Sequence, residues 1–259
     1  MPNIILPDGS QRQFDGAVTG AEIAGDIGPG LAKVAMAVVV DGAEWDLPRP
    51  IEVDAQVAII TERDEAALEI IRHDAAHVMA EAVLELFPET QVTIGPSIEN
   101  GFYYDFHREA AFSEDDLAAI EKRMHDIVDR DETIERHVWT RDQAVAFYKK
   151  NDEPFKVELV ETIPAGETVT FYQQGDFIDL GSGPHLASTG RMGKAFKLMS
   201  VAGAYWRGDS NNEMLQRVYG TAWENKADLE DYLHKLEEAK KRDHRKIGKI
   251  QNLFHTQEE

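Results

Sequence analysis

The 259-residue chain contains no cysteine, which excludes a disulfide framework and any thiolate-held zinc. That absence agrees with a reducing compartment, and the expected location is cytoplasmic. No apolar run approaches the roughly 20 residues that cross a bilayer, so no membrane partner is expected. Met1-Pro2-Asn3 opens no charged-then-apolar signal peptide. Positive charge is scarce: 27 Lys and Arg face 48 Asp and Glu, for a net charge of −21. Broad binding to nucleic acid requires clustered cations that release counterions, so any such binding is confined to local patches. The one dense basic run is Lys240-Lys241-Arg242-Asp243-His244-Arg245-Lys246. Apolar residues make up 42% of the chain, enough for a folded protein, and the length accommodates two domains.

What is present divides near residue 62. Residues 3–6 and 11–14 predict two strands joined across Pro7-Asp8-Gly9-Ser10. Thr19-x-x-Glu22 has capping-box form and predicts a short helix ending near Gly28-Pro29-Gly30. Residues 34–40 read as a buried strand running into the Asp41-Gly42 hairpin signal, and 55–61 as a last strand. This order implies a ubiquitin-like β-grasp unit. A long helix is expected over 64–87, with one apolar stripe through Leu68, Ile71, Ala75, Val78 and Ala82. A second stripe runs through Ile70, His73, His77, Ala80 and Leu84. A helix apolar on two sides belongs in a core. Ser113-x-x-Asp116 and Thr140-x-x-Gln143 predict helices near 114–130 and 141–150. Residues 168–223 read as an antiparallel sheet, and 226–250 as a final helix.

Two separated strings carry chemistry. His73-Asp74-Ala75-Ala76-His77 places two imidazoles one helical turn apart on one face. Asp179-Leu180-Gly181-Ser182-Gly183-Pro184-His185 places a carboxylate and a third imidazole on a bent loop. Three imidazoles and a carboxylate can bind a metal, move protons or grip a polar ligand.

These strings, together with Gly95-Pro96-Ser97-Ile98-Glu99-Asn100-Gly101-Phe102-Tyr103-Tyr104-Asp105 and Val201-Ala202-Gly203-Ala204-Tyr205-Trp206-Arg207-Gly208-Asp209, resemble the N-terminal half of bacterial threonyl-tRNA synthetases. The resemblance covers nearly the whole chain. It implies an α+β protein with a TGS (β-grasp) domain at 1–62 and an editing domain at 63–224. A linker helix would follow at 225–259, with Leu253-Phe254-His255-Thr256-Gln257-Glu258-Glu259 matching the first residues of the family's class II catalytic domain. The expectation is therefore a fragment that lacks aminoacylation machinery. ATP and zinc would belong to the missing part, with no cofactor in the fragment. The full-length protein would be a homodimer through the absent core and the fragment a monomer.

Serine lacks one methyl of threonine, worth only about 1–3 kcal/mol in a binding pocket, so a second site must hydrolyse seryl-tRNA(Thr) made in error. The resemblance implies that His73, His77, Tyr104, Lys156, Asp179 and His185 line that site. Lys156 suits developing negative charge or a phosphate. Tyr104 suits a hydrogen bond and stacking on the terminal adenine. Asp179 suits the substrate ammonium, and His73 a water or the ribose hydroxyls. The chain departs from the family at Gly181, where a cysteine is usual. Without that thiol three imidazoles remain, and three His plus water is a known catalytic zinc set. The family resemblance implies a metal-free site, with zinc on His73, His77 and His185 as the alternative. Either the thiol is dispensable, or Ser182 compensates, or editing has decayed to leave a tRNA(Thr)-positioning module. Gly181→Cys is expected to fold normally, with residue 181 on the same face as Asp179.

Overall fold

The computed structural model describes residues 1–242. The expected end of the last helix at 250, the basic residues of 243–246 and the 253–259 string lie outside the described residues. No helix among the described residues is long and apolar enough to cross a membrane.

The N-terminal unit comprises β1 (Asn3–Ile5), β2 (Gln11–Gln13), β3 (Val18–Thr19), α1 (Gly20–Ile27), α2 (Pro29–Val34), β4 (Ala35–Val40), β5 (Ala43–Asp46), β6 (Pro50–Ile51) and β7 (Ala55–Thr61). Its main sheet has the order β2-β1-β7-β4-β5, with β1 and β7 parallel, which is the β-grasp arrangement. The capping box at Thr19 and Glu22 is formed. Asp41 and Gly42 both have positive φ, as a two-residue hairpin turn requires. One element differs from the sequence reading: Pro29 starts a second short helix, because its fixed φ suits a first helical position.

The larger unit begins with α3 (Glu65–Leu86) and continues through β8 (Gln91–Val92), β9 (Ser97–Ile98), β10 (Gly101–His107), α4 (Glu114–Arg130), β11 (Ile134–Thr140), α5 (Arg141–Lys150), α6 (Pro154–Glu161), β12 (Thr168–Gln174), β13 (Phe177–Leu180), β14 (Phe196–Tyr205), β15 (Met214–Ala222) and α7 (Lys226–Lys241). Both predicted capping boxes, at Ser113 and Thr140, define α4 and α5. The expected single sheet over 168–223 is instead split between two. β14-β15-β10-β8 form one, and β11-β12-β13 the other. Strand β10, more than 100 residues before β15, joins it with Tyr104 opposite Val218.

Helix α3 is buried almost all round from Ile70 to Val83, as its two apolar stripes predict. It contributes Ile70, Ile71, Ala75, Val78 and Met79 to the main core, with Phe102, Phe106, Ile120, Met124 and Val218. Met36, Ala37 and Ile60 of the β-grasp unit enter the same core, so the two units share packing. The three-stranded sheet is a wall between two cores. Strand alternation sends Tyr172 and Phe177 toward α3, while Phe171, Val169, Ile178 and Leu180 pack with Ala144, Tyr148 and Val160 of α5 and α6.

Candidate functional site

The histidine helix and the β13 loop meet, with His73 and His77 on one face of α3. The His73 and His77 rings stack at 5.1 Å between centroids. The His185 ring lies edge-on to both, at 4.6 and 4.7 Å. One ring nitrogen of each falls within 4.8 Å of the others. Burial, reinforced by the neighbouring His185, lowers the pKa of His73 to about 4. Burial lowers that of His77 well below the ordinary value. Both rings are therefore neutral near pH 7, able to accept a proton. The Nε2 atoms of His73 and His185 are buried without a hydrogen-bond partner, an arrangement that ordinarily marks a place for a ligand or water.

His185 is held from behind. Its Nδ1 pairs with the buried carboxylate of Asp74, whose second oxygen accepts the Leu186 amide at 2.8 Å. An Nδ1–H donated to Asp74 leaves Nε2 as the bare acceptor. Asp74 lies between the two histidines of the sequence string, and sequence reasoning missed it. The available signal was an acid set directly beside His73, between the two histidines of a helix apolar on two sides.

A second polar group forms the far wall. Lys156 and Asp179 make an ion pair with both side chains only 2% exposed. Asp179 also accepts from the Tyr104 hydroxyl at 2.5 Å, the Tyr148 hydroxyl at 3.2 Å and the Leu180 amide at 2.7 Å. Lys156 donates to the Tyr104 oxygen at 3.0 Å. Burial and the Asp179 charge push the Tyr104 and Tyr148 hydroxyls well above the usual phenol range, so both stay protonated donors. Glu153, beside this group, is raised to about 7 by burial and by the Asp179 charge, against the opposing pull of Lys156. Lys156 reaches the wall because α6 places it there. That helix has Pro154 at its first position and no apolar stripe long enough to read from sequence.

His73, His77, Tyr104, Lys156, Asp179, Gly181 and Ser182 line one cavity of about 540 Å³. His185 borders it through Gly181. Two of the expected roles meet geometry that opposes them. The Asp179 carboxylate already accepts from four groups, so it organises the wall rather than standing free for an ammonium ion. The Tyr104 ring is 1% exposed, packed against Gly95 and Phe106, which leaves no open face for adenine.

Gly181 extends the β12–β13 ladder through its amide to the Thr170 carbonyl at 3.2 Å. A Cβ there would meet His185 Nε2 and Tyr172 Cδ2 at 3.0 Å and His77 Cε1 at 3.4 Å. Its φ is not positive, so the backbone accepts a side chain, and the constraint is space. Gly181→Cys is expected to fold with a loss of about 1 kcal/mol from crowding. Thermal unfolding measures the loss, and a loss several times larger would show that the histidines cannot yield.

The three imidazoles are the one cluster of three metal-type ligands among the described residues. The donor chemistry suits zinc. Metal-bound histidines ordinarily have their second ring nitrogen held by a carboxylate, carbonyl or water. Only His185 has such a protein partner, in Asp74. The fit to a metal is thus incomplete on His73 and His77.

Residues 2–61 match the TGS domain, and residues 169–219 match the family described as Threonyl and Alanyl tRNA synthetase second additional domain. The whole chain is 62% identical over 260 residues to "Threonine--tRNA ligase" of Paramagnetospirillum magneticum, of which it covers 41%. The same-named protein of Rhodospirillum rubrum is 61% identical over 259 residues, with 40% covered. That of Granulibacter bethesdensis is 59% identical, also with 40% covered. The chain thus spans about 40% of the length of the curated relatives it matches. Over its whole length this chain is a relative of the threonine--tRNA ligases, and its two matched domains fit an N-terminal segment of that family.

Proposed function

We propose that the cavity is a proofreading site that hydrolyses seryl-tRNA(Thr), and that residues 1–62, 63–224 and 225–259 act as TGS domain, editing domain and linker. One observation carries this reading: the neutral His73 imidazole, its Nε2 unpartnered, lines a cavity whose other wall is a fixed lysine, with the unpartnered Nε2 of His185 close behind Gly181. Ester hydrolysis needs an oriented water, a proton acceptor and positive charge near the developing oxyanion. A water held by Nε2 of His73 and His185 gives up a proton to an imidazole as its oxygen attacks the ester carbon. The bond to the ribose oxygen then breaks, and that oxygen takes the proton. His77 stacks against His73 and closes the apolar side of the water site. Lys156, held in place by Asp179 and Tyr104, supplies positive charge at the wall. Ser182 lies at the exposed rim beside Gly181, where its hydroxyl can meet the aminoacyl group.

On this reading the partners are tRNA(Thr) and its seryl form, the location is the cytoplasm, and the isolated chain is a monomer. Aminoacylation with ATP, and the zinc that serves it, belong to the part of the ligases that this chain does not span. Water activation here is read as metal-free, because only His185 of the three imidazoles has a protein carboxylate on its second ring nitrogen.

The test is multiple-turnover deacylation of seryl-tRNA(Thr) by the parent and by His73→Ala, before and after dialysis against EDTA. The parent is expected to turn over, the variant to lose nearly all activity, and EDTA to change nothing. Loss on dialysis with recovery on adding zinc would assign the imidazoles to a metal. An inactive parent that still binds tRNA would leave the positioning module. The pH profile adds a second mark. His73 must be unprotonated for its Nε2 to hold the water, and with its pKa near 4 its own titration should lower the rate only below about pH 5. A fall centred near 6.5, the ordinary histidine value, would show that a group other than His73 sets the pH dependence.

A further inference from the structure

We propose that Asp46, in the β-grasp unit, is a positioning residue for His185, so that the two units build the candidate site together. Asp46 ends β5 and is buried, although it lies 139 residues from His185 in sequence. Its carboxylate accepts the His185 amide at 2.8 Å. It also accepts the Tyr172 hydroxyl, at 3.0 and 3.1 Å to its two oxygens. The Tyr172 ring in turn lies 3.8 Å, centroid to centroid, from the His185 ring. Backbone and ring of His185 are thus both fixed through one carboxylate from the other unit, while Asp74 fixes Nδ1.

The loop is shaped for this seat. A Cβ at Gly183 would fall 2.1 Å from the Tyr172 hydroxyl and 2.9 Å from Asp46 Oδ1, so only glycine lets the backbone pass so close. Behind the seat lies a second cavity of about 370 Å³, lined by Asp46, Arg49, Arg136, Tyr172 and His185. His185 thus borders this cavity on one side and Gly181 on the other. The join nearby is firm, since Arg191 donates to the Lys33 and Ala35 carbonyls at 2.8 and 2.6 Å. Losing Asp46 should therefore loosen His185 without parting the units.

The kinetic arm of the test rests on the hydrolase reading, and the spectroscopic arm does not. In Asp46→Ala, kcat for seryl-tRNA(Thr) deacylation is expected to fall on the order of 10²-fold, as for a misplaced catalytic group. KM should stay within about twofold, because the Asp46 side chain is buried rather than on the surface a tRNA would meet. Asp46→Asn keeps one acceptor oxygen and should lie between parent and alanine variant. Asp54→Ala, at an exposed carboxylate of the same unit that accepts the Asn3 amide, should match the parent. Histidine ring nitrogen NMR should show a changed His185 signal in both Asp46 variants. If Asp46→Ala does not fold, Asp46→Asn and Tyr172→Phe carry both readouts. Folded variants with the parent's His185 signal and the parent's kcat would overturn the inference. If the parent itself is inactive, the hydrolase reading fails, and the His185 signal alone decides for or against Asp46.

Discussion

His185→Ala is expected to slow seryl-tRNA(Thr) deacylation on the order of 10³-fold, the scale of a positioned proton acceptor. Asp74→Asn should come close to the same loss while leaving the fold intact. Asp74 pairs with Nδ1 and leaves a bare Nε2 facing Gly181 at the cavity's edge. An asparagine amide can donate to Nδ1 instead, which moves the ring proton to Nε2 and puts a donor where an acceptor is needed. Single-turnover deacylation measures the rate, and ring nitrogen NMR reads the tautomer. A fully active Asp74→Asn would show that His185 does not take the proton, and His73 would then be the acceptor by itself.

Lys156→Met is expected to be the most destabilising single change in the site. It leaves the Asp179 carboxylate buried without its cation, and breaking a buried pair in this way costs about 3–5 kcal/mol. For a chain of this size that lowers the melting temperature by about 10 °C. Adding Asp179→Asn should recover much of the loss, because the charge goes while an oxygen remains for the two tyrosine hydroxyls. Activity should not return with it, since the positive charge at the cavity wall is still missing. Thermal unfolding of the single and double variants separates these effects. A single variant as stable as the parent would mean that Asp179 is not desolvated in solution.

The parts of the fold that local chemistry decides were legible in the sequence. The capping boxes at Thr19, Ser113 and Thr140 start helices where expected, because the side chain that caps and the amide it caps are three residues apart. The meeting of His73, His77 and His185 was legible from two short strings and the resemblance they carry. Long-range pairing was not. Nothing near Tyr104 says that β10 lies beside β15, so the sheet was expected in one stretch of chain. Helix α6 is too short for a periodic signal, and Lys156 therefore read as an isolated residue. Asp46 and Tyr148 act through partners 139 and 31 residues away, and no local pattern marks either. Burial explains the remaining differences. Asp179 and Tyr104 were given roles toward substrate on residue type, but the structure spends their polar atoms on each other and on Lys156.

The wall formed by β12 and β13 has a kinetic consequence. One side of the cavity hangs on α3, buried in the main core. The other hangs on α5 and α6, which pack in two smaller clusters, around Phe171 and Val160 and around Phe155 and Trp206. A segment opens at a free energy set by the packing it must give up. Amide protons of α5 and α6 should therefore exchange with solvent through a shallower opening than those of α3 around His73 and His77. Each such excursion would carry Lys156 away while the histidines stay in place, so the cavity would admit and release a bulky RNA end by moving one bank only.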